Sequence, residues 1–134
     1  MQVVSVPANG LAHAADSQVM LDKRITIPLA VLVGVGLELG IHVLTGRREA
    51  WDSGAYWTIG LPVVLAVSFA IGLLARGRAW LSTWLIVPAQ VFTMMARSGE
   101  LGGLWPLAVA LSGCLSVPFV GAAFIGTKFR RPSL

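Results

Sequence analysis

The chain has 134 residues, of which 56% are hydrophobic and 12% charged, and its formal net charge is +4. That charged share is about half of what soluble globular domains carry, which excludes an ordinary water-soluble fold. The positive balance does not point to nucleic acid either, because most of the basic residues sit where apolar runs end, as topology determinants beside anionic lipid do.

The N-terminal stretch 1–24, "MQVVSVPANGLAHAADSQVMLDKR", contains "AHA" before Ala15, which superficially resembles a signal-peptidase site. It lacks both a basic leading region and an apolar stretch of the usual length, so no cleaved signal peptide is expected. We read it as a cytoplasmic tail or a short surface helix, with the first apolar run doubling as the targeting signal.

Four apolar runs follow, over 25–45, 55–75, 79–96 and 104–126, with a basic tail at 127–134. Each is long enough to cross a hydrocarbon core of about 30 Å at about 1.5 Å per helical residue. Continuous runs without in/out alternation select helices over a closed barrel, since lipid leaves backbone groups no partner but one another. The expected fold is therefore all-α, a polytopic membrane protein. Its four transmembrane helices would make one up-down-up-down bundle, because connections as short as "RGR" at 76–78 force neighbours to be antiparallel.

In that topology Lys23, Arg24, Arg76, Arg78, Lys128, Arg130 and Arg131 share one side, and only Arg47, Arg48 and Arg97 the other. The positive-inside rule then places both termini in the cytoplasm of a bacterial-type plasma (inner) membrane. Trp51, Tyr56, Trp57 and Trp105 fall at the outer interface and Trp80 at the inner one, as an aromatic belt does.

The first run, "ITIPLAVLVGVGLELGIHVLT", carries an acid and a histidine where oily residues are the rule. Glu38 lies seven residues inside the outer end, roughly 10 Å deep. An ionised carboxylate at the centre of a membrane helix costs about 2.5 kcal/mol or more, so it must face protein or a water-filled cavity, or be protonated. His42 follows one turn closer to the exterior on the same face, and Gly34 and Thr45 extend the stripe. On the third run Gln90, Thr93 and Arg97 share a face by their spacing, and Gln90 matches Glu38 in depth.

These residues define the expected site: a polar pocket in the outer half of the bundle, with Glu38 at its floor and His42, Gln90, Thr93 and Arg97 lining the approach. Burial and neighbouring cations act in opposite directions on a carboxylate, an arrangement that suits a proton relay or cation site. The competing reading is structural, with Glu38, His42 and Gln90 as hydrogen-bonding glue between helices. The loop "GRREAWDSGAYW" and the turn "RSGELGG" form the expected mouth, namely Arg47, Arg48, Glu49, Trp51, Asp52, Tyr56 and Glu100. That loop can cap the pocket or attract an anion. Its simpler reading is an amphipathic turn lying on the bilayer, with Trp51 and Trp57 as anchors, surface pairs between its acids and arginines, and Glu100 paired with Arg97.

Pro62, Pro88 and Pro118 lie inside three runs, where each frees a carbonyl that a water or a neighbouring Ser/Thr can take up. Gly36 and Gly40 on the first run, and Gly121, Ala122 and Gly126 on the fourth, make smooth faces suited to close helix approach within the chain or between copies.

No phosphate-binding loop, HExxH or CxxC is present, and Cys114 has no partner for an intrachain disulfide. With one histidine in the runs, haem or a metal ion would need a second subunit or Met/Glu ligands, so no cofactor and no metal are expected. No residue set argues for an enzyme. The leading functional expectation is a small transporter or channel-like protein, homo-oligomeric because four short helices enclose little volume. The alternative is a non-catalytic accessory or assembly subunit of a larger membrane complex, with a cofactor-binding membrane subunit third. The partners expected are the lipid bilayer and either further copies of the chain or a partner membrane subunit.

Overall fold

The computed structural model describes residues 21–47, 50–99, 103 and 105–130, the Trp51 side chain excepted. Helix accounts for 88% of the described residues and no strand is present among them, so the fold is all-α. Four helices are long and apolar enough to cross a membrane: α1 (Lys23–Thr45), α2 (Tyr56–Leu74), α3 (Ala79–Ser98) and α4 (Trp105–Phe129).

Local chemistry sets the ends. The Asp22 side chain accepts from the Lys23 amide and opens α1. Gly46 and Gly99 adopt φ near 67°, the left-handed turn that ends α1 and α3, and their amides return to the carbonyls of His42 and Met95. At the opposite end of α1, Leu21 pairs with Ala75: the Leu21 amide donates to the Leu74 carbonyl, and the Arg76 amide donates to the Leu21 carbonyl. Arg130, just past α4, donates to the Ala75 carbonyl at 2.6 Å. The beginning of α1 and the ends of α2 and α4 thus meet at one end of the molecule, the Leu21 end.

Two helices begin irregularly. The first turn of α2, Tyr56–Gly60, is π-helical, while α3 starts as a 3-10 helix over Ala79–Leu85 before becoming α-helical at Ile86. Pro88 explains part of the second irregularity, because it has no amide to give the Trp84 carbonyl one turn back. The Ser116 hydroxyl of α4 lies 3.1 Å from that carbonyl and 2.7 Å from the Ser112 carbonyl of its own helix, so its one proton is shared between them. The bond lost within α3 is replaced in part by this contact between α3 and α4.

The core is an apolar layer of Ala30, Val64, Ile86, Val87, Val91 and Phe119, which draws on all four helices. Outward faces are also apolar, with Leu32, Val43, Leu44, Phe92 and Val117 exposed, while Glu38, Gln90, Ser68 and Ser116 are buried. Polar groups inside and large aliphatics outside reverse the arrangement that water selects.

Helices approach most closely at glycines, though not at the pair that spacing favoured. A Cβ at Gly34 would collide with the Ile86 carbonyl and stand 2.9 Å from the Ala89 Cβ. One at Gly72 would run into the Ala123 backbone, and one at Gly126 into the Phe69 carbonyl. Gly36, Gly40 and Gly121 have nothing within 4 Å, so the small-residue face expected on α1 is open and, of the two glycines in the expected α4 set, Gly126 alone makes a close approach.

Gly72→Ala should therefore lower stability by about 1–3 kcal/mol, since backbone rather than a movable side chain stands in the way. Gly36→Ala should leave it unchanged or raise it, because alanine is the better helix former and nothing obstructs it. Reversible unfolding in mixed detergent micelles compares the two.

Candidate functional site

Glu38 is 1% exposed, inside the half of the bundle remote from the Leu21 end. Its place follows from Gly34, one turn earlier, where α1 lies against α3 at Ile86; the next turn of each helix brings Glu38 and Gln90 into the same layer. Arg97 reaches back from the last turn of α3 and sets its Nη1 3.4 Å from the Glu38 Oε1, with 25% of its side chain exposed against 2% for the glutamate. The pair therefore has a dry end and a wet end.

The loop after α1 supplies a second donor. Gly46 turns the chain back, and the Ala50 backbone amide comes within hydrogen-bond reach of the Glu38 carboxylate. Ala50 is buried beside Ile41 and Tyr56, with Leu37 packed against them. The short 3-10 turn Ala50–Asp52 thus brings its first residue over the carboxylate. Its outer rim is a solvent-facing ion pair, Arg47 Nη1 to Asp52 Oδ2 at 3.0 Å. A pair this exposed contributes little stability, and it leaves Arg47 engaged rather than waiting for an anion.

His42 behaves differently from expectation. Its Nδ1 lies 2.8 Å from the Arg47 carbonyl. A carbonyl only accepts, so Nδ1 carries the proton and the ring ties the loop to the end of α1. His42 still contributes to the field at Glu38, though less than Arg97 does. Thr93 turns its hydroxyl onto the Ala89 carbonyl of its own helix at 2.7 Å, and so does Thr45 onto Ile41. Neither hydroxyl is spent on Glu38.

Tyr56, expected at the mouth among the interfacial aromatics, is 1% exposed. The π-helical turn Tyr56–Gly60 carries its side chain into the bundle, where its hydroxyl stands 3.5 Å from the Gln90 Oε1 and within the electrostatic reach of Glu38. Gln90 is fully buried, and its Nε2 has no hydrogen-bond partner. Trp57 and Trp105, by contrast, are half exposed. Of the expected mouth residues, Arg48, Glu49 and Glu100 and the Trp51 side chain lie outside the described residues, and with them the expected Arg97–Glu100 pair.

The cluster that the structure assembles is thus Glu38, Arg97, Tyr56 and Gln90, roofed by Ala50. A carboxylate, a phenol and an amide in sequence can pass or hold a proton. Among the described residues no three His, Cys, Asp or Glu side chains gather as a metal ion would require. A separate apolar cavity of about 210 Å³ opens between α3 and α4, lined by Trp84, Pro88, Phe92, Met95 and Val109 among others. Glu38 takes no part in it.

Removing the cation from a buried pair strands the acid, which costs about 3–5 kcal/mol where both partners are fully buried. Arg97 keeps one end in solvent, so Arg97→Met should cost less, of order 2 kcal/mol, and Arg97→Met combined with Glu38→Gln should recover most of it. A double-mutant cycle on unfolding in micelles measures that coupling.

Compared with known proteins, the chain matches no family model, no curated protein and no solved structure, so its function is argued from the site alone.

Proposed function

We propose that the protein is a multi-pass integral membrane protein of up-down-up-down topology that moves protons or small cations, with Glu38 as the exchanging group. Both termini face the cytoplasm of a bacterial-type inner membrane, which puts the Leu21 end inside and the Glu38 half outside. The apolar outer faces support insertion, and the distribution of Lys and Arg supports the orientation.

The observation that carries the transport reading is the asymmetry of the pair. Glu38 is 1% exposed, whereas a quarter of the side chain of Arg97, its partner, is exposed. A carboxylate serving only as glue is best matched by an equally enclosed partner. Here the charge that balances Glu38 can be drawn outward, and the turn that covers the acid hangs from Gly46, His42 and an exposed Arg47–Asp52 pair, contacts that are individually weak. In this reading Arg97 and the Ala50 turn form the outer gate, with His42 and Thr93 beside the approach. Arg47 and Asp52 belong to the mouth, and several copies associate.

A second reading is favoured by one specific observation. Gly36 and Gly40 lie exposed on α1 with nothing within 4 Å, a smooth face left open for another helix. On that reading the protein is an accessory or assembly subunit and Glu38–Arg97 is an internal clamp.

Proteoliposomes loaded with a pH-sensitive dye separate the two. Transport predicts proton flux in the wild type and its loss, by at least about tenfold, in Glu38→Gln, with the folded yield unchanged. An accessory subunit predicts no flux in either, and a Gly36→Leu variant that no longer assembles with its partner.

A further inference from the structure

Among the described residues, two buried side-chain polar atoms besides Gln90 Nε2 have no hydrogen-bond partner, Thr26 Oγ1 and Ser68 Oγ, and both residues are fully buried. Buried hydroxyls almost always find a partner in protein or ordered water, so two orphans in one small bundle need an explanation. Their position supplies it. Thr26 lies one helical turn from Ala30 toward the Leu21 end, and Ser68 one turn from Val64 toward the same end, where Leu21 meets Ala75. Ala30 and Val64 belong to one apolar cluster, and the 3-10 start of α3, which carries Thr83, lies against both α1 and α2. One turn down from that cluster, each of the two helices therefore carries its hydroxyl toward the Leu21 end.

Thr83 joins them. It lies one turn before Val87, which belongs to the same core layer, and leads toward Ala79, which packs with Ala75 and Ile71 at the Leu21 end. Thr83 is fully buried and donates its hydroxyl to the Trp80 carbonyl at 2.8 Å, which leaves its oxygen able to accept. Below the apolar layer, then, lie three enclosed hydroxyls with two donors and at least three acceptors unspent, and no formal charge.

That inventory selects the ligand. A bare cation would find three neutral oxygens and no compensating carboxylate. Water both donates and accepts, needs two to four polar partners, and finds them here. We propose that Thr26, Ser68 and Thr83 bind ordered water and form the inner mouth of the path whose outer station is Glu38. Ala30, Val64, Ile86, Val87 and Phe119 are then the dry collar between two wet layers. Thr26 and Glu38 are twelve residues apart on α1, roughly 18 Å along the axis. Water approaching from both ends leaves only the collar to be bridged, which favours a proton over a larger hydrated ion as the cargo. The water site stands on the orphaned hydroxyls alone; its place in a path rests on the transport reading above.

The test is a double-mutant cycle on reversible unfolding with Thr26→Val, Ser68→Ala and both, together with Thr26→Ser, which keeps the hydroxyl. If one water serves both groups, each single variant shifts the unfolding equilibrium toward unfolded by about fivefold or more. The double variant then loses less than the product of the two, and Thr26→Ser stays near wild type. A dry layer gives the opposite sign, because each truncation removes an unsatisfied hydroxyl and leaves stability unchanged or raised; that result overturns the site. Proton flux in the same variants decides the path. Flux reduced in Thr26→Val/Ser68→Ala supports it, whereas unaltered flux with a positive cycle removes these residues from it. Absence of flux in the wild type overturns the transport reading and the path with it, leaving the water site to be judged by the cycle.

Discussion

A carboxylate enclosed by apolar helices must have its charge answered inside the protein or give the charge up, and the Glu38 half of this molecule is arranged around that constraint. Glu38 is answered from two directions, by the Arg97 guanidinium from the end of α3 and by the Ala50 amide from the loop after α1. Each answer dictates further structure. Arg97 can reach only because α1 and α3 touch at Gly34, which sets their relative height. Ala50 can reach only because Gly46 reverses the chain at once, and the return brings Tyr56 inward beside Gln90.

The rest of the bundle is held by other means. Close backbone approach at Gly34, Gly72 and Gly126 supplies contact between helices, and the apolar layer around Phe119 fills the centre. Where helices pack in lipid, such contact gains nothing from excluding water and depends on complementarity of shape. That is why the glycines in contact matter more than the glycines in number. Backbone hydrogen bonds at the Leu21 end, with Arg130 added, close the other end more firmly than side chains close the Glu38 half.

Four apolar helices were legible in the sequence because apolar runs of that length have few other uses. The third is a helix despite Pro88 and Gln90 at its centre, since the proline's missing bond is replaced in part from α4 and the glutamine faces inward. The meeting of Glu38 and Arg97 follows from their depth on two helices that lie together. Tyr56 did not announce itself, because an aromatic near a helix end reads as an interfacial anchor and nothing in "AYWTIG" signals a π-helical turn. Spacing also could not tell which glycines face a neighbour; only the packed bundle gives a helix an inside. Thr26 and Ser68 were silent for the same reason, ordinary residues until the layer that contains them exists.

The Trp84–Ser116 bond has a consequence for inheritance. Pro88 removes the amide that would satisfy the Trp84 carbonyl, and a serine on a different helix makes good part of the loss. An ordinary residue at position 88 would restore the helical bond and leave the Ser116 hydroxyl to the Ser112 carbonyl alone. Loss of the serine, with the proline kept, would take from the Trp84 carbonyl its partner on α4. Order matters between the two changes: the proline can be shed first at little cost, whereas the serine cannot. Mutational history at these two sites therefore runs more easily in one direction than in the other.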